Sequence, residues 1–221
     1  MTEQPEQPEQ PEQPEQPEQL ARPEPPGRRE RKKAATRQKI ADTALRLFLE
    51  RGYDAVGIRE VAAEADVAVT TLFSHFAAKE ALVFDQDEDF ERGLVRAVTD
   101  RRPDEPLIPA LRGQVKALIR HCTTDDAAPM WRMIDETPAL RQYEASMRLR
   151  HAQALATAIA ADAVADPLHT TTACQAIARF AIDAFSLARE SDDPEATVDE
   201  VFGMIQAAWD AGRSATHEPG A

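Results

Sequence analysis

From Thr36 onward the apolar residues of this chain return at steps of three and four, and no stretch sustains a period of two. Such spacing lays apolar side chains along one stripe of a helix and leaves nothing for a half-buried strand, so the chain reads as all-α, with about nine helices. Thr36 can cap the first, whose face carries Ile40, Ala44, Leu47 and Phe48 and which stops at Gly52. Short helices are expected over about 58–64 and 68–74, then a long one opening at Lys79-Glu80 and running to about 100. Pro103 and Pro106 break the chain, and five further helices are expected over about 106–122, 127–137, 138–164, 168–190 and 194–211. Proline lies at or near the start of several, where its missing N–H costs little.

The chain's net charge of −13 hides a division. Residues 1–26 hold seven acids and one base; residues 27–84 hold eleven bases and eight acids; residues 85–221 hold fourteen bases and twenty-four acids. The first segment repeats Glu-Gln-Pro five times and holds half of the chain's 16 prolines. It cannot bury enough apolar surface to offset its ordering entropy, so 1–27 is expected to be a disordered tail and 215–221 a flexible end. Seven bases then fall within residues 28–39, opposed only by Glu30. This run reads either as a solvated approach to a helix or as a phosphate-binding arm, with Lys32, Lys33 and Arg37 as contacts.

Several functions fall on inventory. No apolar run is long enough for a membrane span, and the N-terminus lacks a basic start and apolar core, so no membrane partner and a cytoplasmic setting are expected. Two cysteines, Cys122 and Cys174, make no disulfide scaffold. The histidines at 75, 121, 151, 169 and 217 are scattered, and no H-E-x-x-H, C-x-x-C or G-x-S-x-G occurs. His121-Cys122 with Asp125-Asp126 fits no strong metal template. No enzyme activity, metal or cofactor is expected.

The segment from Thr36 to Leu82 carries the chemistry. It reads as three short helices, the last two joined through Ala65-Asp66-Val67, where Asp66 suits a left-handed turn. This is a helix-turn-helix, with Ile58, Val61, Ala62, Val67, Leu72 and Phe76 inward and Val69, Thr70, Thr71 and Ser74 outward. Small hydroxylated side chains can lie close to base edges in the major groove. The run Phe48–Tyr53, then Ile58–Ala65, then Val67, Leu72, Phe73, His75, Phe76, Lys79, Glu80 and Leu82 resembles the TetR family of bacterial transcriptional regulators over about 47 contiguous residues. The resemblance implies DNA contacts from Arg59, from Val69, Thr70 and Thr71, and backbone contacts from His75 and from Lys79 near the start of the fourth helix. The chain departs from the family pattern at Phe73, often Tyr, and at Gly57 and Ala68, often capping hydroxyl residues.

The same resemblance implies a DNA-binding unit over 28–83 and a regulatory and dimerisation unit over 84–214. The wide apolar stripes of the last two helices place Phe180, Phe185, Phe202, Ile205 and Trp209 as dimer-interface candidates, with ordinary monomer core as the alternative. Leu94, Val98, Leu118, Met130, Trp131, Ile134, Tyr143, Met147 and His151 are candidates to line an effector pocket, again against plain core. The expectation is a homodimeric repressor that binds a palindromic double-stranded DNA operator and is released by a small hydrophobic or acyl-CoA-like effector. Its rivals are a ligand-independent DNA-binding regulator and a dimeric protein-interaction module with a degenerate head.

Overall fold

A computed structural model describes residues 27–102, 104–162 and 170–215. Residues 1–26 of the expected tail, residues 216–221 of the expected flexible end, and the junction between the expected helices ending at 164 and starting at 168 lie outside the described residues. Among the described residues there are nine α-helices, no strand and two three-residue 3₁₀ turns. The helices are α1 (Arg28–Arg51), α2 (Ile58–Glu64), α3 (Val69–His75), α4 (Asp87–Thr99), α5 (Leu107–Cys122), α6 (Ala128–Glu136), α7 (Pro138–Asp162), α8 (Thr171–Arg189) and α9 (Pro194–Ala215).

Helix α1 starts eight residues before the expected cap at Thr36, which sits inside it. Periodicity could not reveal this extension because residues 28–35 are exposed and share no apolar face. It is held instead by helix-forming residues and by Glu30, whose carboxylate accepts the Gly27 N–H at 3.1 Å. The basic arm is thus the first two turns of a 24-residue helix. At its other end Gly52 has φ 89°, a left-handed stop that favours glycine.

The α2–α3 turn matches the sequence expectation: Asp66 has φ 51°, the one non-glycine residue with positive φ among those described. The Val67 N–H reaches the Ala62 carbonyl at 2.9 Å and the Asp66 N–H the Ala63 carbonyl at 3.1 Å. That pair of bonds closes the end of α2 and turns the chain into α3. Two carboxylates brace the angle between α1 and α2, since Arg46 pairs with Glu64 at 2.7 Å and Arg51 with Glu60.

No helix opens at Lys79. Residues Glu80–Leu82 form a 3₁₀ turn, and α4 begins only at Asp87. The intervening residues contain no proline or glycine. Their path is set by tertiary contacts: Phe84 stacks on Tyr143 of α7 with ring centroids 5.5 Å apart, and Asp85 pairs with Arg37 of α1.

Two hydrophobic cores result. One joins α4, α5, α7, α8 and α9 and contains Leu94, Val98, Leu111, Leu155, Phe185, Phe202 and Ile205. The other is built on Ile40, Phe48, Leu72, Phe76 and Leu82 of the head, and it also takes in Ile134, Leu140 and Met147 from α6 and α7. The head is therefore seated on the body through shared apolar packing rather than through a linker alone.

Candidate functional site

The buried side of α3 is anchored by Leu72, with Phe76 just past its end. The opposite side carries Thr70, Phe73 and Ser74, all exposed, flanked by the partly exposed Val69, Thr71 and His75. The Ser74 hydroxyl donates back to the Thr71 carbonyl at 2.7 Å, which fixes that side chain against its own helix. Phe73 stands 51% exposed, an aromatic ring that the fold does not use. Arg59 of α2 is exposed as well.

The arm residues Lys32 and Lys33 are exposed on α1 and make no ion pair among the described residues. Lys33 lies close enough to His75 to act on it. Burial first, then the charges of Lys33 and Arg37, pushes the His75 imidazole below the ordinary histidine range. At neutral pH His75 therefore offers a hydrogen bond, not a charge.

Two residues expected as DNA contacts have other work. Arg37 pairs with the Asp85 carboxylate at 2.8 Å, donates to the carbonyls of His75 and Asp85, and covers the Phe76 ring at 4.2 Å. It ties α1 to the end of α3 and to the connector that precedes α4. Lys79 donates to the Tyr53 carbonyl at 2.6 Å and sits 4.0 Å over the Tyr53 ring. Burial pushes its ammonium down from the ordinary lysine range. With no long helix starting there, Lys79 secures the chain that leaves α1.

Beneath α1 lies a cavity of about 550 Å³. Its walls come from α1 (Ala41, Leu45), the connector (Leu82–Gln86), α4 (Asp87, Phe90), α5 (Leu118, His121, Cys122), α6 (Met130, Trp131), α7 (Glu144, Met147, Arg148, His151) and α8 (Ile182, Phe185, Ser186). Phe90 stacks on His151 at 5.1 Å and meets the Phe185 ring edge-on at 4.9 Å. Trp131 closes the same aromatic group and donates its indole N–H to the Cys122 carbonyl at 2.8 Å. Asp87 joins His151 at 2.5 Å and Arg150 at 2.9 Å. Burial alone raises the Asp87 carboxyl, but the His151 and Arg150 contacts outweigh it and hold the group below its ordinary range. In Asp85 the balance goes the other way, burial exceeding the help from Arg37.

Of the expected pocket residues, Leu118, Met130, Trp131, Met147 and His151 line this cavity. Leu94 and Val98 do not, because they fill the body core against neighbouring helices. Ile134 and Tyr143 do not either, because they pack in the head–body core. The wall contributed by α1 and the carboxylates Asp85, Asp87 and Glu144 went unread in the sequence. The one local signal was the change of charge at residue 85.

Among the dimer-interface candidates, Phe185, Phe202 and Ile205 are buried within the monomer and cannot present a face to a second copy. Trp209 packs partly buried on the same core. Phe180 is 54% exposed, and Leu187 and Met204 share that exposure on α8 and α9. Among the described residues no group of three or more histidine, cysteine, aspartate or glutamate side chains could hold a metal, and no helix is long and apolar enough to cross a membrane.

Comparison with known proteins agrees with this geometry. Residues 40–85 match the family described as bacterial regulatory proteins, tetR family. The chain is 28% identical over 126 residues to the HTH-type transcriptional regulator TcmR of Streptomyces glaucescens, covering 53% of this chain and 56% of that protein. It is 44% identical over 66 residues to the HTH-type transcriptional repressor KstR of Mycolicibacterium smegmatis, covering 29% of this chain and 31% of that one. The matches thus span about half or less of these relatives' length. Among solved structures, a TetR-family regulator from Streptomyces coelicolor A3 superposes with a TM-score of 0.56 at 17% identity, over 83% of this chain and 97% of that one. That similarity establishes the shared all-helical fold. The likeness to the tetR family of bacterial regulatory proteins is carried by the helix-turn-helix segment, residues 40–85.

Proposed function

We propose that this chain is a DNA-binding transcriptional repressor, not an enzyme, which binds a palindromic operator as a homodimer and is released by a small apolar effector. The observation that carries the reading is the helix-turn-helix itself: an exposed Thr70–Ser74 face on α3, set beside an exposed helical arm with five unpaired bases among the described residues. Lys32 and Lys33 supply phosphate contacts, Thr70, Thr71, Ser74 and Arg59 face the groove, and Val69 offers an apolar contact. TcmR is named a transcriptional regulator and KstR a transcriptional repressor, which favours the same class here. Dimerisation is supported by the exposed apolar residues Phe180, Leu187 and Met204 on α8 and α9, and by the twofold symmetry that paired half-sites require. The cavity favours an effector-controlled regulator over a ligand-independent one, because a packed dimerisation unit has no use for a void of about 550 Å³.

Selection of bound sequences from random duplex DNA tests this reading. A palindromic motif is the expected result. A folded dimer that enriches nothing would instead support a protein-interaction module.

A further inference from the structure

The following rests on the reading of the cavity as the effector site. The wall of that cavity is apolar and aromatic over Phe90, Leu118, Met130, Trp131, Met147 and Phe185. Its charged lining is one-sided: Asp42, Asp85, Asp87, Asp89, Asp126 and Glu144 face it, against the single arginine Arg148. Three of these acids are already answered, Asp85 by Arg37, Asp87 by Arg150 and His151, and Asp89 by Arg92. Arg148 is itself drawn away, paired with Asp183 at 2.6 Å.

Glu144 differs from the rest. Its side chain is 15% exposed, yet its ion pair with Arg189 is 3.8 Å long. Arg189 is committed elsewhere, bridging to Asp135 at 3.2 Å and lying 4.5 Å over Trp131. No hydrogen bond reaches the Glu144 carboxylate among the described residues. Burial pushes this carboxyl above its ordinary range, outweighing the charges of Arg189 and Arg148 nearby, neither of which donates a hydrogen bond to it.

We propose that the effector is a hydrophobic cation, an organic ammonium whose charge sits against Glu144 and whose apolar body lies among Phe90, Trp131 and Phe185. The volume of about 550 Å³ falls in the range of small-molecule sites. A cation brings Glu144 the donor it lacks and gains from the negative potential of the surrounding acids. An anionic ligand such as an acyl-CoA meets those acids and finds no uncommitted arginine on the wall.

Three ligands with one ten-carbon chain test the charge alone: decylammonium, decanol and decanoate, below their micellar concentrations, added to the full chain. Binding is read by tryptophan fluorescence and by thermal shift, and operator release is measured separately with the same ligands. Decylammonium is expected to bind at least about tenfold more tightly than decanoate. Glu144→Gln should weaken decylammonium by about tenfold and leave decanol unchanged, while Glu144→Asp keeps most of the preference. Unchanged decanol binding also shows that the variant is folded. Decanoate binding as tightly as decylammonium overturns the proposal, as does a Glu144→Gln variant with undiminished decylammonium affinity. Decanol or decanoate releasing operator while decylammonium stays silent overturns the ligand class and keeps the cavity as the effector site. Tight decylammonium binding without operator release sustains the ligand class and removes the regulatory reading.

Discussion

The first two turns of α1 and the turn that follows carry the same kind of side chain in opposite settings. Arg28, Arg29, Arg31, Lys32 and Lys33 stand exposed and make no ion pair among the described residues. Arg37, one turn on, is enclosed by the Asp85 carboxylate, two carbonyls and the Phe76 ring. Basic charge alone therefore says little about DNA. The arm's charges stand at the surface, whereas Arg37 is spent on orienting α3 against α1. Lys79, seated on the Tyr53 carbonyl and ring, belongs with Arg37.

The comparison breaks most sharply at the seat of the head. Ile134→Ala opens a void in the core shared by α1 and α6 and should cost about 2–5 kcal/mol. Chemical denaturation measures it, and a loss under about 1 kcal/mol would mean that the head packs independently of the body. Arg37→Ala comes next. It leaves Asp85 half-buried without its cation and should cost about 2–3 kcal/mol, with operator affinity falling along with stability. If Arg37→Ala weakens operator binding and leaves the melting temperature unchanged, Arg37 is a contact after all and the contrast fails.

A smaller effect concerns acid. The Asp87 carboxyl is held below its unfolded value, so its contribution is complete above that value and fades as pH falls through the folded one. Asp87→Asn should remove this part of the acid limb, so melting temperature against pH between about 5 and 2 becomes flatter than in the parent chain. Equal slopes would show that the pair with His151 and Arg150 adds no stability. The smallest effect on stability is expected for Lys32→Ala and Lys33→Ala, within about 0.5 kcal/mol. Each should nonetheless reduce the slope of log affinity against log salt by about 0.9 if its lysine meets a phosphate.

What the sequence made legible was local. The stop at Gly52, the left-handed Asp66 and the facing of Leu72 and Phe76 depend on residues within a few turns of one another, and each lies where its chemistry places it. What escaped depended on residues far apart in the chain. The break before α4 has no proline or glycine to announce it; it exists because Phe84 meets Tyr143 and Asp85 meets Arg37. The same holds for the pocket. Leu94, Ile134 and Met147 have equivalent apolar patterns, and only the crossing of helices lets Met147 border the cavity as well as the head–body core, while the other two do not reach it. Phe202 and Phe180 likewise look alike as letters, but one is 1% exposed and the other 54%.

The continuity of α1 gives the molecule a lever. Its 24 residues make a rod of about 36 Å, with Ala41 on the cavity wall near the middle and Arg28 at the tip about 20 Å away. A tilt of about 5° about Ala41 carries the tip through about 1.7 Å, more than half the length of a hydrogen bond. If the arm meets phosphates as proposed, a displacement too small to notice at the cavity wall decides there whether a contact is made or lost.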